Sequence, residues 1–193
     1  MNLKQFAIGL YLIITGIVGS PREEWIRIKN SDYTIWHMIL FYVVPLCFIT
    51  ILISFVGSYF YPDEHFDLPR FLLISALCPI LVIITSLAVS FKIIGYLFLA
   101  FENSATSKTI ATLLFFAFTP VYAAMALFTL LPSYLVAFLP LLYIFFIMRK
   151  GVDVLTNISV DRKTEFSNLC SLVVLTIFLA LNLVLSSFFG AIH

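Results

Sequence analysis

Four prolines interrupt long apolar stretches of this sequence, and they constrain the fold more than any other feature. They are Pro45, Pro79, Pro120 and Pro140. A proline inside a helix has no amide hydrogen, so it frees the carbonyl four residues before it, and in hydrocarbon that carbonyl needs another partner. The freed carbonyls would belong to Phe41, Ser75, Phe116 and Val136. The sequence therefore predicts kinked helices that satisfy one another's backbone groups, rather than a set of independent anchors.

The composition predicts an all-α integral membrane protein. Of the 193 residues, 62% are hydrophobic and only 11% are charged, whereas a soluble domain is roughly half apolar and about a quarter charged. A formal net charge of +1 excludes a general basic surface for nucleic acid. The three cysteines, Cys47, Cys78 and Cys170, fall inside apolar runs and are expected to be small core side chains.

We interpret five apolar segments of residues 34–193 as membrane spans. Their approximate bounds are 35–58, 71–97, 109–131, 133–148 and 166–189. Residues 109–148 carry no charge, and as a helix they would measure about 60 Å, enough for two crossings of a core about 30 Å thick. Leu131-Pro132-Ser133 is the plausible turn between these two crossings. The expected fold is a bundle of five kinked transmembrane helices.

Residues 1–33 are expected to form N-terminal helices at the membrane interface. The apolar run 6–18 would be a helix of about 20 Å, shorter than the core, so we expect it to lie in the interface or to re-enter the membrane. A sixth span is the alternative. Ser20, Pro21 and Glu23 have the spacing of a capping box that opens a second helix. Trp25, among the charged residues of that helix, is typical of the headgroup region.

Lysine and arginine are distributed unequally between the two sides of the predicted bundle. One side carries only Arg70, and the other carries nine basic residues: Lys4, Arg22, Arg27, Lys29, Lys108, Arg149, Lys150, Arg162 and Lys163. Loops rich in Lys and Arg face the cytoplasm. The sequence therefore predicts a cell (inner) membrane protein with its N-terminus in the cytoplasm and its C-terminus outside.

A series of residues along the chain follows the order of a known family. The series is Pro21 and Trp25 in the short helix, Pro45-Leu46 in span one, Thr119-Pro120 in span three, Leu131-Pro132, Tyr143 in span four, and Gly151 just after it. Over about residues 20–190, this order resembles the Yip (Ypt-interacting protein) domain family. The resemblance implies five spans with a cytoplasmic N-terminus, and it makes these residues candidate motif positions.

The chain departs from the family pattern at two places. Glu102 and Asn103 follow Phe101, where family members often have glycines. The long cytoplasmic N-terminal region of the eukaryotic members, with its Asp-Leu-Tyr-Gly-Pro motif, is absent from this sequence. Eukaryotic members are linked to Rab GTPases and vesicle traffic, and without that region Rab binding is not carried over. The sequence resembles the short prokaryotic members.

Two polar residues inside the predicted spans form a candidate intramembrane polar site. Lys92 lies in span two, where a charge marks function by default, although its position near the cytoplasmic end favours a snorkelling side chain. Asn182 lies in span five, where a helix–helix hydrogen bond is the more common role. The proline kinks offer a second candidate, a midplane ligand site built from broken helices.

The sequence favours a non-enzymatic protein. It has no recognisable catalytic set, no metal-ligand spacing, no cofactor motif and no Asp or Glu inside a predicted span. We expect a multi-pass scaffold that organises the lipid bilayer or recruits a protein partner on its cytoplasmic face, and that forms a homo-oligomer in some settings. The alternatives are a small channel, permease or lipid-handling protein with a site at the kinks, and an obligate subunit of a larger complex.

Overall fold

The computed structural model describes residues 3–60, 77–102, 106–130 and 134–190, and within these ranges the chain forms helices and no strand. The helices are α1 (Leu3–Gly19), α2 (Pro21–Lys29), α3 (Ile35–Met38), a π-helical segment (Ile39–Val43), α4 (Val44–Phe60), α5 (Cys78–Glu102), α6 (Ser107–Ala117), α7 (Thr119–Leu130), α8 (Tyr134–Leu155) and α9 (Val160–Gly190). The predicted turn at Pro132 and the polar connection after span one lie outside the described residues.

Four helical segments of the described ranges are long and apolar enough to cross a membrane. They are Ile35–Gly57, Cys78–Phe101, Ser107–Phe128 and Val160–Leu185. The predicted fourth span falls in α8, whose 22 residues would measure about 33 Å. The all-α membrane fold is thus confirmed, while the count of five spans stays a prediction.

The kinked pair α6–α7 forms the centre of the bundle. In an 18-residue window of its spanning segment, Ser107–Phe128, 83% of the residues are buried, against 22–33% in the matching windows of the other three spans. Helix α7 packs against both α4 and α8, and α9 packs along α5 and α8. The most buried span is therefore the one that carries Pro120, so this kink has protein on nearly every side.

The chain departs from a regular α-helix at both central prolines, and it does so in different ways. Before Pro45, the helix widens into the π-helical segment, and the amide of Val44 donates to the carbonyl of Ile39, five residues back. At Pro120, the chain breaks between α6 and α7, and the Thr119 hydroxyl donates to the carbonyl of Phe116 at 2.6 Å. The predicted need of the Phe116 carbonyl for a new partner is confirmed.

The remaining two prolines occupy different positions. Pro140 lies inside α8, which continues through it. Pro79 is the second residue of α5 as described, and residues 61–76 lie outside the described ranges. Helix α5 then runs unbroken through Lys92 to Glu102.

The corner between α1 and α2 is tight and is held by a side chain that we did not expect. Pro21 is the first residue of α2, as predicted, but the capping box is wrong, because Ser20 makes no side-chain cap. With ψ of 61°, Ser20 lies outside the extended region that aims a capping side chain at the helix. Glu24 is buried at the corner instead, and its carboxylate accepts from Arg27 at 2.6 Å.

Helix α1 leans into the bundle from the end at which α2 and the α8–α9 turn lie. Near its start, the rings of Phe6 and Phe41 are 5.9 Å apart. Near its end, the Tyr143 hydroxyl donates to the carbonyl of Val18 at 2.6 Å. Tyr143 precedes Arg149 by six residues, so the end of α1 contacts α8 about 9 Å from the start of the charged segment. Whether α1 lies in the interface, re-enters the membrane or spans it stays a prediction.

Candidate functional site

Trp25 joins α2 to the core. Its side chain is fully buried, its Nε1 donates to the carbonyl of Ile147 in α8 at 3.2 Å, and its ring meets Phe116 edge-on at 6.0 Å. Trp25 is therefore a core residue rather than an anchor exposed to lipid headgroups. Pro21, Trp25 and Ile28 are buried at helical spacing, so one face of α2 packs inward. The charged residues of α2 other than Glu24 face outward.

Gly151 provides the space that Trp25 occupies. A β-carbon at position 151 would lie 2.8 Å from Cζ2 of Trp25 and 2.7 Å from Cδ1 of Leu113. Real β-carbons do not approach other atoms this closely, so α2 reaches α8 only because residue 151 has no side chain. Two candidate motif positions that are 126 residues apart in the chain thus form one contact.

A buried hydroxyl pair ties span one to the central kink. The Tyr42 and Thr119 hydroxyl oxygens are 2.5 Å apart. Because Thr119 gives its one proton to the carbonyl of Phe116, Tyr42 must be the donor to Thr119. The Tyr42 ring also lies 4.5 Å from the Phe116 ring, centroid to centroid. Tyr42, Thr119 and Phe116 are thus linked by hydrogen bonds, and the Phe116 ring contacts Trp25. These four residues form one connected core.

The motif residues together make a structural core. Pro21, Trp25, Thr119, Pro120 and Gly151 are buried, Pro45 and Tyr143 are half-buried, and Pro132 lies outside the described ranges. Glu24 is the buried carboxylate of the described part of the chain, and its partner is Arg27. Where the structure describes the chain, no three His, Cys, Asp or Glu residues come close enough to hold a metal ion.

Lys92 and Asn182 are not brought together. The Lys92 side chain is exposed on α5, and Asn182 is half-buried on α9. The Phe98 and Phe166 rings are 4.7 Å apart, and α5 and α9 run antiparallel from there, so Lys92 lies level with about residue 172. Asn182 is then about ten residues, or 15 Å, further along α9. Each residue is therefore a separate polar position.

A basic cleft of about 590 Å³ lies between α2, the last turn of α8 and the first turn of α9. Its lining residues are Arg22, Ile26, Lys29, Asn30, Lys150, Asp153, Val154, Val160 and Lys163. Lys29 donates to the carbonyl of Val154 at 2.7 Å, and Lys163 donates to the carbonyl of Asp153 at 3.1 Å. Both carbonyls lie at the C-terminal end of α8, where cations are favoured.

The cleft is the feature that local sequence patterns could not show. The sequence marked α2 and the charged segment after α8 as polar, but not that they meet. Lys29 and Val154 are 125 residues apart, so no spacing rule connects them. What locks the two walls together is Trp25 against Gly151, one helical turn deeper.

An apolar cavity of about 390 Å³ lies at the level of the kinks. It is bounded by α1, α4, α7 and α8, and its lining residues include Val18, Thr50, Pro120, Pro140 and Tyr143. Lys92 is not among the residues that line it. The walls are almost wholly hydrocarbon, so this cavity suits an apolar chain better than an ion.

Comparison with known proteins identifies one family. The family model of the Yip1 domain matches residues 15–185. No curated protein and no solved structure matches the chain. The matched range includes both the Trp25–Gly151 contact and the Thr119-Pro120 kink.

Proposed function

The chain belongs to the Yip1 domain family, and from this membership we propose that it is a non-enzymatic multi-pass scaffold whose basic cleft engages a partner at the cytoplasmic surface of the membrane. The observation that carries the proposal is the cleft itself. The segments with most of the polar residues at this end, α2 and residues 149–163, converge on one concave surface. The four basic side chains that line it exceed its one carboxylate.

The cleft is preformed, which supports a role in binding. The contact of Trp25 with Gly151 fixes the distance between its two walls, and the bond from Lys29 to the Val154 carbonyl joins the same two walls. A rigid surface loses little conformational freedom when a partner binds. The proposal also takes this end of the bundle as cytoplasmic. Ten basic residues lie outside the predicted spans, and the predicted topology assigns nine of them to this end.

Charge reversal in the cleft tests the proposal. We would purify the full chain, Arg22→Glu and Lys150→Glu from membranes and compare the proteins and lipids that co-purify. Lys108→Glu is the matched control, because Lys108 is an exposed basic residue that does not line the cleft. Loss of a specific component in both cleft variants, but not in Lys108→Glu, supports the proposal. Identical co-purified components in all four samples would contradict it.

A second candidate function, the handling of a lipid chain, is favoured by the apolar cavity. The cavity adjoins two kinked helices and the end of α1, and its hydrocarbon walls fit an acyl chain. We would measure movement of fluorescent phospholipids across liposomes that contain the protein or its Ala123→Phe variant. Ala123 lines the cavity, so the larger side chain should block it. Lipid movement no faster than in empty liposomes would remove this candidate.

A further inference from the structure

We propose that the basic cleft binds the phosphate group of an anionic phospholipid. This inference rests on the proposed function and names the chemistry of the partner. The cleft draws its charges from three helices: Arg22 and Lys29 from α2, Lys150 from α8 and Lys163 from α9. Asp153 is the one carboxylate on its lining, which leaves an excess of three positive charges (four minus one).

The charge of the cleft is not neutralised within the protein. Arg27, the other cation of α2, is paired with Glu24 and does not line the cleft. Within the described ranges, no carboxylate lies within ion-pair distance of Arg22 or Lys150. The Lys150 ammonium instead lies 5.6 Å from the centroid of the Phe146 ring. An anion that enters the cleft would therefore not compete with a carboxylate for Arg22 or Lys150.

The two remaining lysines, Lys29 and Lys163, are held in place by backbone carbonyls but keep donors for a ligand. Lys29 and Lys163 each direct one N–H at a carbonyl of the last turn of α8. An ammonium group has three N–H donors, so each lysine keeps two for a ligand. These bonds hold the two charges at the same helix end. The resulting cradle suits the several acceptor oxygens of a phosphate.

The depth of the cleft favours a lipid over a soluble phosphate. The charge-free stretch 109–148 ends immediately before Arg149, so Lys150 and Asp153 begin the polar layer, where lipid phosphates lie. Ile26 and Val160 line the same cleft, and they are 45% and 81% exposed. Apolar side chains beside cations match the junction of a headgroup with its acyl chains. Basic pockets at the cytoplasmic ends of helices are a recurring form of such sites.

Lipid retention by the full-length protein tests the inference. We would deliver phosphatidylglycerol or phosphatidylcholine with identical acyl chains to detergent-solubilised protein, and measure the bound lipid by native mass spectrometry. We expect phosphatidylglycerol to be retained and phosphatidylcholine to be lost. Arg22→Gln and Lys150→Gln should each weaken binding about fivefold and together about 30-fold, whereas Lys108→Gln should leave it unchanged. Retention should also fall as the salt concentration rises.

Three results would overturn the inference. Equal retention of both lipids would show that the cleft does not select an anion. Phosphatidylglycerol binding that survives the double substitution would place the lipid elsewhere. Displacement of the lipid by millimolar inorganic phosphate would assign the cleft to soluble phosphate.

The failure of this inference is separable from failure of the proposed function. If lipid selectivity is absent but a co-purifying protein still depends on Arg22 and Lys150, the cleft binds a protein and the scaffold proposal stands. If neither lipid nor protein depends on these two residues, both proposals fail. The Tm of each variant, measured in the same detergent, shows whether the bundle is intact.

Discussion

Trp25 and Gly151 are packed so closely that the backbone of α8 forms one wall of the indole pocket. A β-carbon on residue 151 would lie 2.8 Å from Cζ2 and 2.9 Å from Cε2 of the indole. The indole cannot withdraw, because its Nε1 is bonded to the carbonyl of Ile147 and its edge meets Phe116. The contact therefore holds α2 on α8, and through α2 it holds one wall of the basic cleft.

Gly151→Ala is expected to destabilise the protein by about 1–3 kcal/mol, the usual cost of an overpacked core. The gain in helix propensity from Gly to Ala, up to about 1 kcal/mol, offsets only part of this cost. The measurement is the Tm of the purified protein in detergent. Gly9→Ala is the control, because a β-carbon there meets nothing within 4 Å, and its Tm should stay equal or rise. Equal Tm values for Gly151→Ala and wild type would show that α2 is not clamped here.

The α1–α2 corner gives a second prediction, in which one substitution rescues another. A β-carbon on Gly16 would lie 2.5 Å from Oε2 of Glu24, which is buried and paired with Arg27. We expect Gly16→Ala to lower Tm, and Gly16→Ala with Glu24→Ala to recover most of the loss, because the colliding carboxylate is gone. The coupling should be about 0.5–3 kcal/mol, as for residues in direct contact. Strictly additive effects would mean that Glu24 does not fill the corner.

The sequence predicted the parts of the fold that depend on local composition and backbone chemistry. Apolar runs predicted the membrane helices, and the missing amide of Pro120 predicted that the Phe116 carbonyl needs a partner, which Thr119 supplies. Pro21 predicted the start of α2. These rules act within a few residues, so they can be applied without knowing the fold.

The position of Trp25 and the cleft were missed because a distant contact overrides the local pattern. Trp25 among charged residues is typical of a headgroup anchor, but its partner Ile147 lies 122 residues away and draws it into the core. The one local signal was the spacing of Pro21, Trp25 and Ile28, which places them on one face of α2. The cleft is a second case, since Lys29 meets α8 only after the bundle has formed.

The kink at Pro120 gives a prediction about which of two substitutions, Thr119→Val or Tyr42→Phe, lowers stability more. Thr119→Val keeps the shape of the side chain but leaves the Phe116 carbonyl and the Tyr42 hydroxyl without their partner. We expect a loss of about 1–3 kcal/mol, the cost of unsatisfied buried groups. Tyr42→Phe leaves the bond from Thr119 to Phe116 intact, so its loss should be smaller, near the average of about 0.6 kcal/mol for such bonds in membranes.

Thr15→Val is the control for this pair, because Thr15 is exposed and its hydroxyl bonds only to carbonyls of its own helix. The Tm of all three variants is measured in the same detergent. The expected order of losses is Thr119→Val, then Tyr42→Phe, then Thr15→Val. A larger loss for Tyr42→Phe than for Thr119→Val would reverse the assignment of Tyr42 as the donor.

Tyr143 provides a prediction about local rather than global stability. Its hydroxyl donates to the carbonyl of Val18, in the last turn of α1, which packs mainly against α2 and the start of span one. Tyr143→Phe should free the end of α1 while leaving the central helices packed, because α6 and α7 are held by separate contacts. We therefore expect faster amide hydrogen exchange in residues 3–19 and unchanged exchange in residues 107–117.

Tyr96→Phe is the control, because Tyr96 is 73% exposed. Equal exchange of α1 in Tyr143→Phe and wild type would show that the bond does not anchor the helix, and faster exchange throughout the bundle would show that α1 is part of the central cooperative unit.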